Sequence, residues 1–176
     1  RRNEKLLNIT MDDNKGEMKA ILRSGDPKIK AYYGVARQFS NTVDNFKKLR
    51  VVAKLIKDNI EKRKISQSVV YFSFVENGVD KFSIVSGNEG AVEKQKSKED
   101  YNKRRSQVMI ITKAGAEGLD LKNTTNIFVI DQPWNEATRE QVIGRGIRYK
   151  SHESLPEKDR VVNIFNVIKS FCKNSI

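Results

Sequence analysis

The spacing of apolar residues along the chain predicts one helix followed by strands that alternate with helices. From Phe46 to Ile60, apolar side chains recur at steps of three and four residues, which predicts an amphipathic helix that Asp44 caps. Five later apolar segments are short enough for strands and cover residues 68–74, 82–85, 107–112, 126–131 and 161–168. Helical stretches at about 90–104 and 135–144 lie between them. This alternation favours a parallel α/β sheet with helices on both faces.

Two parts of the chain do not follow that alternation. Residues 1–42 are mixed and polar, with glycine and proline as breakers, so we expect a linker or an incomplete preceding region before an α/β domain at 43–176. Only residues 76–81 separate the first two strands, whereas a parallel crossover takes about a dozen residues or more. We therefore expect a chain break or a missing segment between about residues 78 and 82. We also expect the chain to be a fragment of a longer protein.

Positive charge is the main feature of the composition. Lys and Arg number 34 against 22 Asp and Glu, which gives a formal net charge of +12. This surplus indicates a polyanionic partner such as nucleic acid, although a solvated lysine-rich surface explains the charge equally well. With 1 cysteine and 1 histidine, the chain cannot form an internal disulfide and we expect no metal site. Its apolar runs are far shorter than the roughly 20 residues that span a bilayer, so we expect no membrane partner.

The stretch after the third predicted strand is suited to a ligand. The strand ends at Thr112, and four small residues follow it: Ala114, Gly115, Ala116 and Gly118. Ligands bind at the carboxyl ends of strands in open parallel sheets, and small residues there let backbone amides approach a phosphate. Asp120 is well placed to accept a hydrogen bond from a sugar hydroxyl. Taken alone, the same residues also fit a plain turn.

A second group of polar residues is spaced for one face of a helix. Gln141, Arg145 and Arg148 are four and three positions apart, so on a helix they project together. Two guanidinium groups and an amide on one face form a clamp for phosphate oxygens. Gly144 and Gly146 weaken this helix by about 1 kcal/mol each relative to alanine, which indicates that something approaches closely. The alternative is a solvated basic helix.

Together these segments resemble the second RecA-like domain of superfamily 2 helicases. TKAGAEGLDL is similar to motif V of that family, and QVIGRGIR is similar to motif VI, with its signature Q-x-x-G-R-x-x-R. VVYFSFVENG is similar to motif IV, and FSIVSGNEG to the strand and turn that follow it. The resemblance covers about residues 45–168 and extends to helicases of large cytoplasmic DNA viruses, including poxvirus-type early transcription factors and nucleoside triphosphatases. It implies a RecA-like parallel sheet flanked by helices.

The resemblance also implies roles for residues inside the quoted motifs. Arg145 and Arg148 would be arginine fingers that act on the γ-phosphate. Gln141, Gly118 and Asp120 would contact ATP. The implied nucleic-acid contacts are Thr112, Lys113, Ser73, Ser86 and Gly87. The chain has neither a G-x-x-x-x-G-K-S/T loop nor an acidic box for magnesium, so ATP with Mg would be held together with an absent first RecA-like domain, and this chain alone should not hydrolyse ATP.

The function that the resemblance implies is that of the second motor domain of an ATP-dependent nucleic-acid helicase or translocase. DNA is expected more than RNA, transcription machinery is a further expected partner, and the setting is intracellular, or the virion or host cytoplasm if the protein is viral. Two alternatives stay open: a catalytically inactive basic scaffold module of a transcription complex, and the translocase part of a restriction enzyme. The intact Arg145 and Arg148 argue against the scaffold, because an inactive site has no need of two arginine fingers.

Overall fold

The computed structural model describes residues 2–11, 45–63, 66–71, 83–85, 89–112, 115, 117–131, 133 and 135–171. The strands in this part of the chain are β1 (Arg2–Met11), β2 (Ser68–Tyr71), β3 (Ser83–Val85), β4 (Val108–Ile111), β5 (Asn126–Val129) and β6 (Val162–Phe171). The α-helices are α1 (Asn45–Lys62), α2 (Ala91–Asn102) and α3 (Glu136–Gly146), and a 3-10 helix spans Glu157–Asp159. Every strand and helix that the sequence pattern predicted is present.

The six strands form one sheet with the order β1-β6-β5-β2-β4-β3, and each neighbouring pair is parallel. The prediction of a parallel sheet is therefore confirmed. β4 lies between β2 and β3, so these two strands do not pair although they follow each other in the chain. The expected chain break near residues 78–82 lies outside the described residues. Because all strands run the same way, their carboxyl ends meet at one edge, where ligands of such sheets bind.

Helices cover both faces of the sheet, as predicted. The buried cluster under α1 contains Val52, Ile56, Val70, Phe128 and Val167. The buried cluster under α2 and α3 contains Tyr101, Met109, Ile127, Val142 and Ile143. Neighbouring residues of β5 thus point to opposite faces, which is why the predicted strands are continuous apolar runs rather than alternating ones. Burial of each such large apolar side chain stabilises the fold by about 1.5–3 kcal/mol.

β1 is the strand that the sequence pattern did not predict. All 10 of its residues pair with β6, from Arg2 opposite Val162 to Met11 opposite Phe171. Residues 2–11, which we expected to belong to a linker or an incomplete preceding region, are instead an edge strand of the sheet. Residues 12–42, and the expected domain boundary at 43, lie outside the described residues.

Ion pairs join β1 to α3 and give the physical reason for this difference. Arg2 lies 2.7 Å from Glu140, and Glu4 lies 2.7 Å from Arg139. The hydrogen bond to Glu140 raises the pKa of Arg2. Burial raises the pKa of Glu4, but the hydrogen bonds and charges of Arg139 and Arg2 outweigh it, so the net pKa is lowered. Because Glu4 and Arg139 are 135 positions apart in the sequence, no local sequence pattern could predict their contact.

Candidate nucleotide and nucleic-acid site

Thr112 begins the turn at the carboxyl end of β4. Its amide donates to the carbonyl of Val85 at 3.2 Å, which continues the sheet for one residue beyond the strand. Its Oγ1 accepts a hydrogen bond from the Gly115 amide at 3.2 Å, and the residue is only 8% exposed. The hydroxyl therefore holds the turn together. The nucleic-acid contact that we predicted for Thr112 remains a prediction, and Lys113 lies outside the described residues.

Gly118 gives this turn its shape. Its φ is +72°, a left-handed conformation that costs other residues roughly 1–2 kcal/mol. A Cβ at this position would find nothing within 4 Å. The preceding carbonyl, that of Glu117, accepts a hydrogen bond from Lys94 Nζ at 2.5 Å. The backbone geometry thus explains the glycine, and the space beside it is open to a ligand.

Asn102 holds the loop that carries Asp120, and sequence reasoning did not single it out. Its Nδ2 donates to the Asp120 carbonyl at 3.0 Å, and its Oδ1 accepts from the Lys122 amide at 2.8 Å. Between these contacts, the Leu121 amide donates to the Arg145 carbonyl at 3.2 Å. The loop is thereby tied to α2 on one side and to α3 on the other. In the sequence, Asn102 is only a polar residue near the end of a predicted helix.

α3 carries two of the three residues that we expected on one helical face. The helix begins after Asn135, whose side chain accepts from the Thr138 amide at 2.8 Å. Gln141 and Arg145 lie on it, four positions apart, with Gln141 exposed and Arg145 half-buried. The helix ends at Gly146, because Ile147 has φ −127° and ψ 72°.

Arg148 therefore lies beyond α3, and our prediction that it shares the helical face is wrong. The physical reason lies in the glycines, which favour helix less than other residues except proline. Gly146 also packs so closely on β5 that a Cβ there would be 3.1 Å from Ile127 Cδ1 and from Thr124 Cγ2. We expected from the two glycines that another group approaches this helix closely. At Gly146 that group is part of the domain itself, whereas a Cβ at Gly144 would find nothing within 4 Å.

Although it leaves the helix, Arg148 still reaches Asp120. Its Nη1 lies 3.7 Å from Asp120 Oδ1, with the two side chains 49% and 40% exposed. The Arg148 amide donates to Ser151 Oγ at 3.2 Å, and that hydroxyl donates to the Arg148 carbonyl at 2.8 Å. His152 contacts Ser151 Oγ at 2.7 Å and the Thr124 carbonyl at 2.6 Å, which anchors this turn to the segment that precedes β5. The residues of the two predicted motifs are thus brought together.

Some predicted site residues are not placed. Ser73, Ser86 and Gly87 lie outside the described residues, as does Lys113. Within the described ranges, no three His, Cys, Asp or Glu side chains are grouped in a way that could hold a metal ion. The part of the chain that the structure describes also contains no helix long and apolar enough to cross a membrane.

Curated relatives of the chain include viral proteins. A candidate ATP-dependent RNA helicase of Acanthamoeba polyphaga mimivirus is 36% identical over an alignment of 114 residues, and the match covers 58% of this chain and 26% of that protein. Nucleoside triphosphatase I of Amsacta moorei entomopoxvirus is 42% identical over 67 residues, which are 38% of this chain and 10% of that protein. The chain thus spans about a quarter or less of these relatives.

Solved structures share the fold. The crystal structure of the C-terminal part of the Fun30 ATPase domain matches with a TM-score of 0.58 and 18% identity, over 89% of this chain and 55% of that chain. Dbp5 of S. cerevisiae bound to RNA and ADP BeF3 matches with a TM-score of 0.52 and 19% identity, over 70% of this chain and 32% of that chain. These likenesses confirm the predicted RecA-like helicase fold. The family model "Helicase conserved C-terminal domain" matches residues 47–150, and the chain therefore belongs to this family.

Proposed function

We propose that this chain is the second motor domain of an ATP-dependent nucleic-acid helicase or translocase. The observation that carries the proposal is the arrangement of Asp120, Arg145 and Arg148. A backbone hydrogen bond joins the loop of Asp120 to Arg145, and an ion pair joins Asp120 to Arg148. The loop of Asp120, the end of α3 and Arg148 thus lie together. In the proposal the carboxylate takes a ribose hydroxyl and the two guanidinium groups take phosphates.

In this proposal ATP and Mg lie between this domain and a first RecA-like domain that supplies the phosphate-binding loop and the magnesium ligands. Gln141 and Gly118 contact the nucleotide beside Asp120. Closure of the two domains brings Arg145 and Arg148 onto the γ-phosphate, where their charge neutralises the charge that develops during transfer. Because that charge acts on the transition state more than on bound ATP, the arginines raise kcat more than affinity.

The proposed track is nucleic acid, bound by its phosphate backbone. Thr112 and Lys113, with Ser73, Ser86 and Gly87, are the proposed contacts, and the net charge of +12 supports them. DNA as the preferred track remains a prediction, and one viral relative is named for RNA. The viral relatives support a viral setting, in the virion or host cytoplasm, with transcription machinery as a partner.

The decisive experiment substitutes each arginine finger in a protein that contains both RecA-like domains. Arg145→Ala and Arg148→Ala should each lower kcat by about 10³-fold or more, the usual contribution of an arginine finger. ATP affinity, measured by titration, should stay within about threefold, since little ground-state binding is lost. Lysine should rescue neither position, because it lacks the planar fork that grips two phosphate oxygens.

Arg105→Ala is the matched control, because Arg105 is an exposed arginine that also pairs with an aspartate, Asp100, at 3.3 Å. It should leave turnover unchanged. If both finger variants keep near-normal turnover while the control does too, the arginines are surface charge and the proposal fails. Separately, affinity for an oligonucleotide should fall steeply between about 50 and 200 mM salt. Affinity that is flat with salt would remove the proposed backbone contacts.

A further inference from the structure

A cavity of about 400 Å³ opens at the amino-terminal edge of the sheet, beside the end of α1. Its wall is made by the last turn of α1, the residues that precede β2 and β5, and the segment that leads into β6. A volume in this range is typical of small-molecule sites. Among the lining residues, Val161 is the one apolar side chain, so the cavity is not suited to an apolar ligand.

The floor of the cavity is a buried polar network that runs across neighbouring strands. Asn163 Nδ2 donates to Asn126 Oδ1 at 3.4 Å, and Asn126 Nδ2 donates to Ser66 Oγ at 3.0 Å. Thr125 Oγ1 donates to the Gln67 carbonyl at 3.0 Å. Asn126 and Thr125 are only 4% and 5% exposed. Because these groups satisfy one another, the floor is rigid and keeps the cavity open.

The rim of the cavity carries positive charge from two separate segments. Lys62 and Arg63 come from the end of α1, and Lys158 comes from the 3-10 helix. None of the lining residues is acidic. Asp159, which is 8% exposed, lies behind the rim and holds Arg63 through a contact of 3.3 Å. Within the described part of the chain, Lys62 and Lys158 form no ion pair, so both ammonium groups remain available.

Helix electrostatics explain only part of this charge. Lys62 and Arg63 at the end of α1 complement the negative pole of the helix. That reason does not apply to Lys158, which reaches the same cavity from a segment almost a hundred positions away in the sequence. Convergence of cations from distant segments on one concave site focuses a positive potential there.

We propose that this cavity binds phosphate groups. Ammonium and guanidinium groups on the rim supply charge-assisted hydrogen bonds to phosphate oxygens, and no carboxylate in the lining opposes them. The phosphate comes either from the backbone of a nucleic acid or from a small phosphate such as pyrophosphate. Arg145 and Arg148 do not line this cavity, so the inference does not depend on their role.

The test compares two double variants of the chain that lose the same charge. Lys62→Gln with Lys158→Gln removes the free cations of the rim, and Lys54→Gln with Lys96→Gln removes two exposed lysines outside the cavity. Pyrophosphate binding is measured by isothermal titration, and oligonucleotide binding by fluorescence anisotropy across a salt series. Far-UV circular dichroism verifies that both variants fold, which these surface changes should allow.

We expect pyrophosphate binding to weaken about tenfold or more in the rim variant and to stay unchanged in the control, as loss of two charged hydrogen bonds requires. If nucleic acid is the natural source, the rim variant also lowers the slope of log K against log salt by roughly 1.5 relative to the control. If a small phosphate is the source, both variants bind the oligonucleotide alike. Equal binding of pyrophosphate and of oligonucleotide by the two variants overturns the proposal.

Discussion

Arg148 Nη1 lies 3.7 Å from Asp120 Oδ1, so the two residues proposed for opposite ends of a nucleotide are paired with each other. Both side chains are nearly half exposed, and such a pair stabilises a fold by about 0–1 kcal/mol. The pair therefore contributes little to stability. In the proposed function the pair bears on binding, because Arg148 would exchange the carboxylate for phosphate oxygens and Asp120 would then accept a ribose hydroxyl.

Replacement of Asp120 by asparagine should separate these two roles. The folded state should lose less than about 1 kcal/mol, because the pair is exposed. The KM for ATP should rise about tenfold, because a hydrogen bond to a charged acceptor contributes roughly 1.5–3 kcal/mol. Steady-state turnover, in a protein with both RecA-like domains, and urea denaturation of the chain measure the two effects. Asp100→Asn, which breaks the Arg105 pair at 3.3 Å, is the control, and an equal KM for both variants would contradict the role of Asp120.

The two glycines of α3 should respond differently to alanine. At Gly144 the Cβ meets nothing, so Gly144→Ala should stabilise the fold by about 0.5–1 kcal/mol through helix propensity. At Gly146 the Cβ would lie 3.1 Å from Ile127 and Thr124, so crowding should offset that gain. If a ligand or the first domain approaches Gly144, its variant should be more stable, yet in a protein with both RecA-like domains it should turn over ATP more slowly. Normal turnover in that variant would show that the open space there holds only solvent.

The sequence predicts the centre of this sheet because the information is local. β4 and β5 are buried on both faces, so each is a continuous apolar run that a pattern can detect. β1 differs, since its residues 2–6 are exposed and its strand conformation depends on pairing with β6 and on ion pairs to α3. Those partners are far away in the sequence, so the local spacing of apolar residues could not predict them.

In the candidate site, too, some features follow from the local sequence and others depend on distant contacts. The spacing of Gln141 and Arg145 on a helix follows from periodicity alone, and the structure agrees. The position of Arg148 does not, because the end of α3 depends on how closely Gly146 packs on β5. Asn102 was missed for a related reason: its two bonds go to a loop eighteen and twenty positions later, and nothing in its own neighbourhood indicates them.

Acid should weaken the link between β1 and α3. Burial raises the pKa of Glu4, but the lowering by its arginine partners is larger, so the net pKa is lowered. The hydrogen bond from Arg2 lowers the pKa of Glu140. A lowered carboxylate pKa contributes stability above the unfolded value, near 4.5, and that stability is lost as the pH falls through the folded value. Solvent screens these exposed pairs, so the contribution at pH 7 should be at most about 1 kcal/mol.

The measurement is urea denaturation of the chain between about pH 3 and pH 7. Glu4→Gln with Glu140→Gln should be less stable than the unmodified chain at pH 7, and the two curves should converge below pH 4.5. Glu93→Gln with Glu157→Gln removes two exposed carboxylates that form no ion pair within the described ranges. If this control changes the pH profile as much, the β1–α3 ion pairs have no special part in it.

Asn102 should be a positioning residue for Asp120, and its neighbour provides a matched control. Asn102→Ala removes the bonds to the Asp120 carbonyl and the Lys122 amide, which should cost about 1–2 kcal/mol and loosen the loop. Tyr101→Phe removes the buried bond to Thr124 at 3.0 Å and should cost a similar amount while keeping the bonds to Asp120 and Lys122. Stability alone cannot distinguish the two variants, but kinetics can. In a protein with both RecA-like domains, Asn102→Ala should raise the KM for ATP several-fold while Tyr101→Phe leaves it unchanged. If both variants change the KM equally, Asn102 supports the fold and not the site.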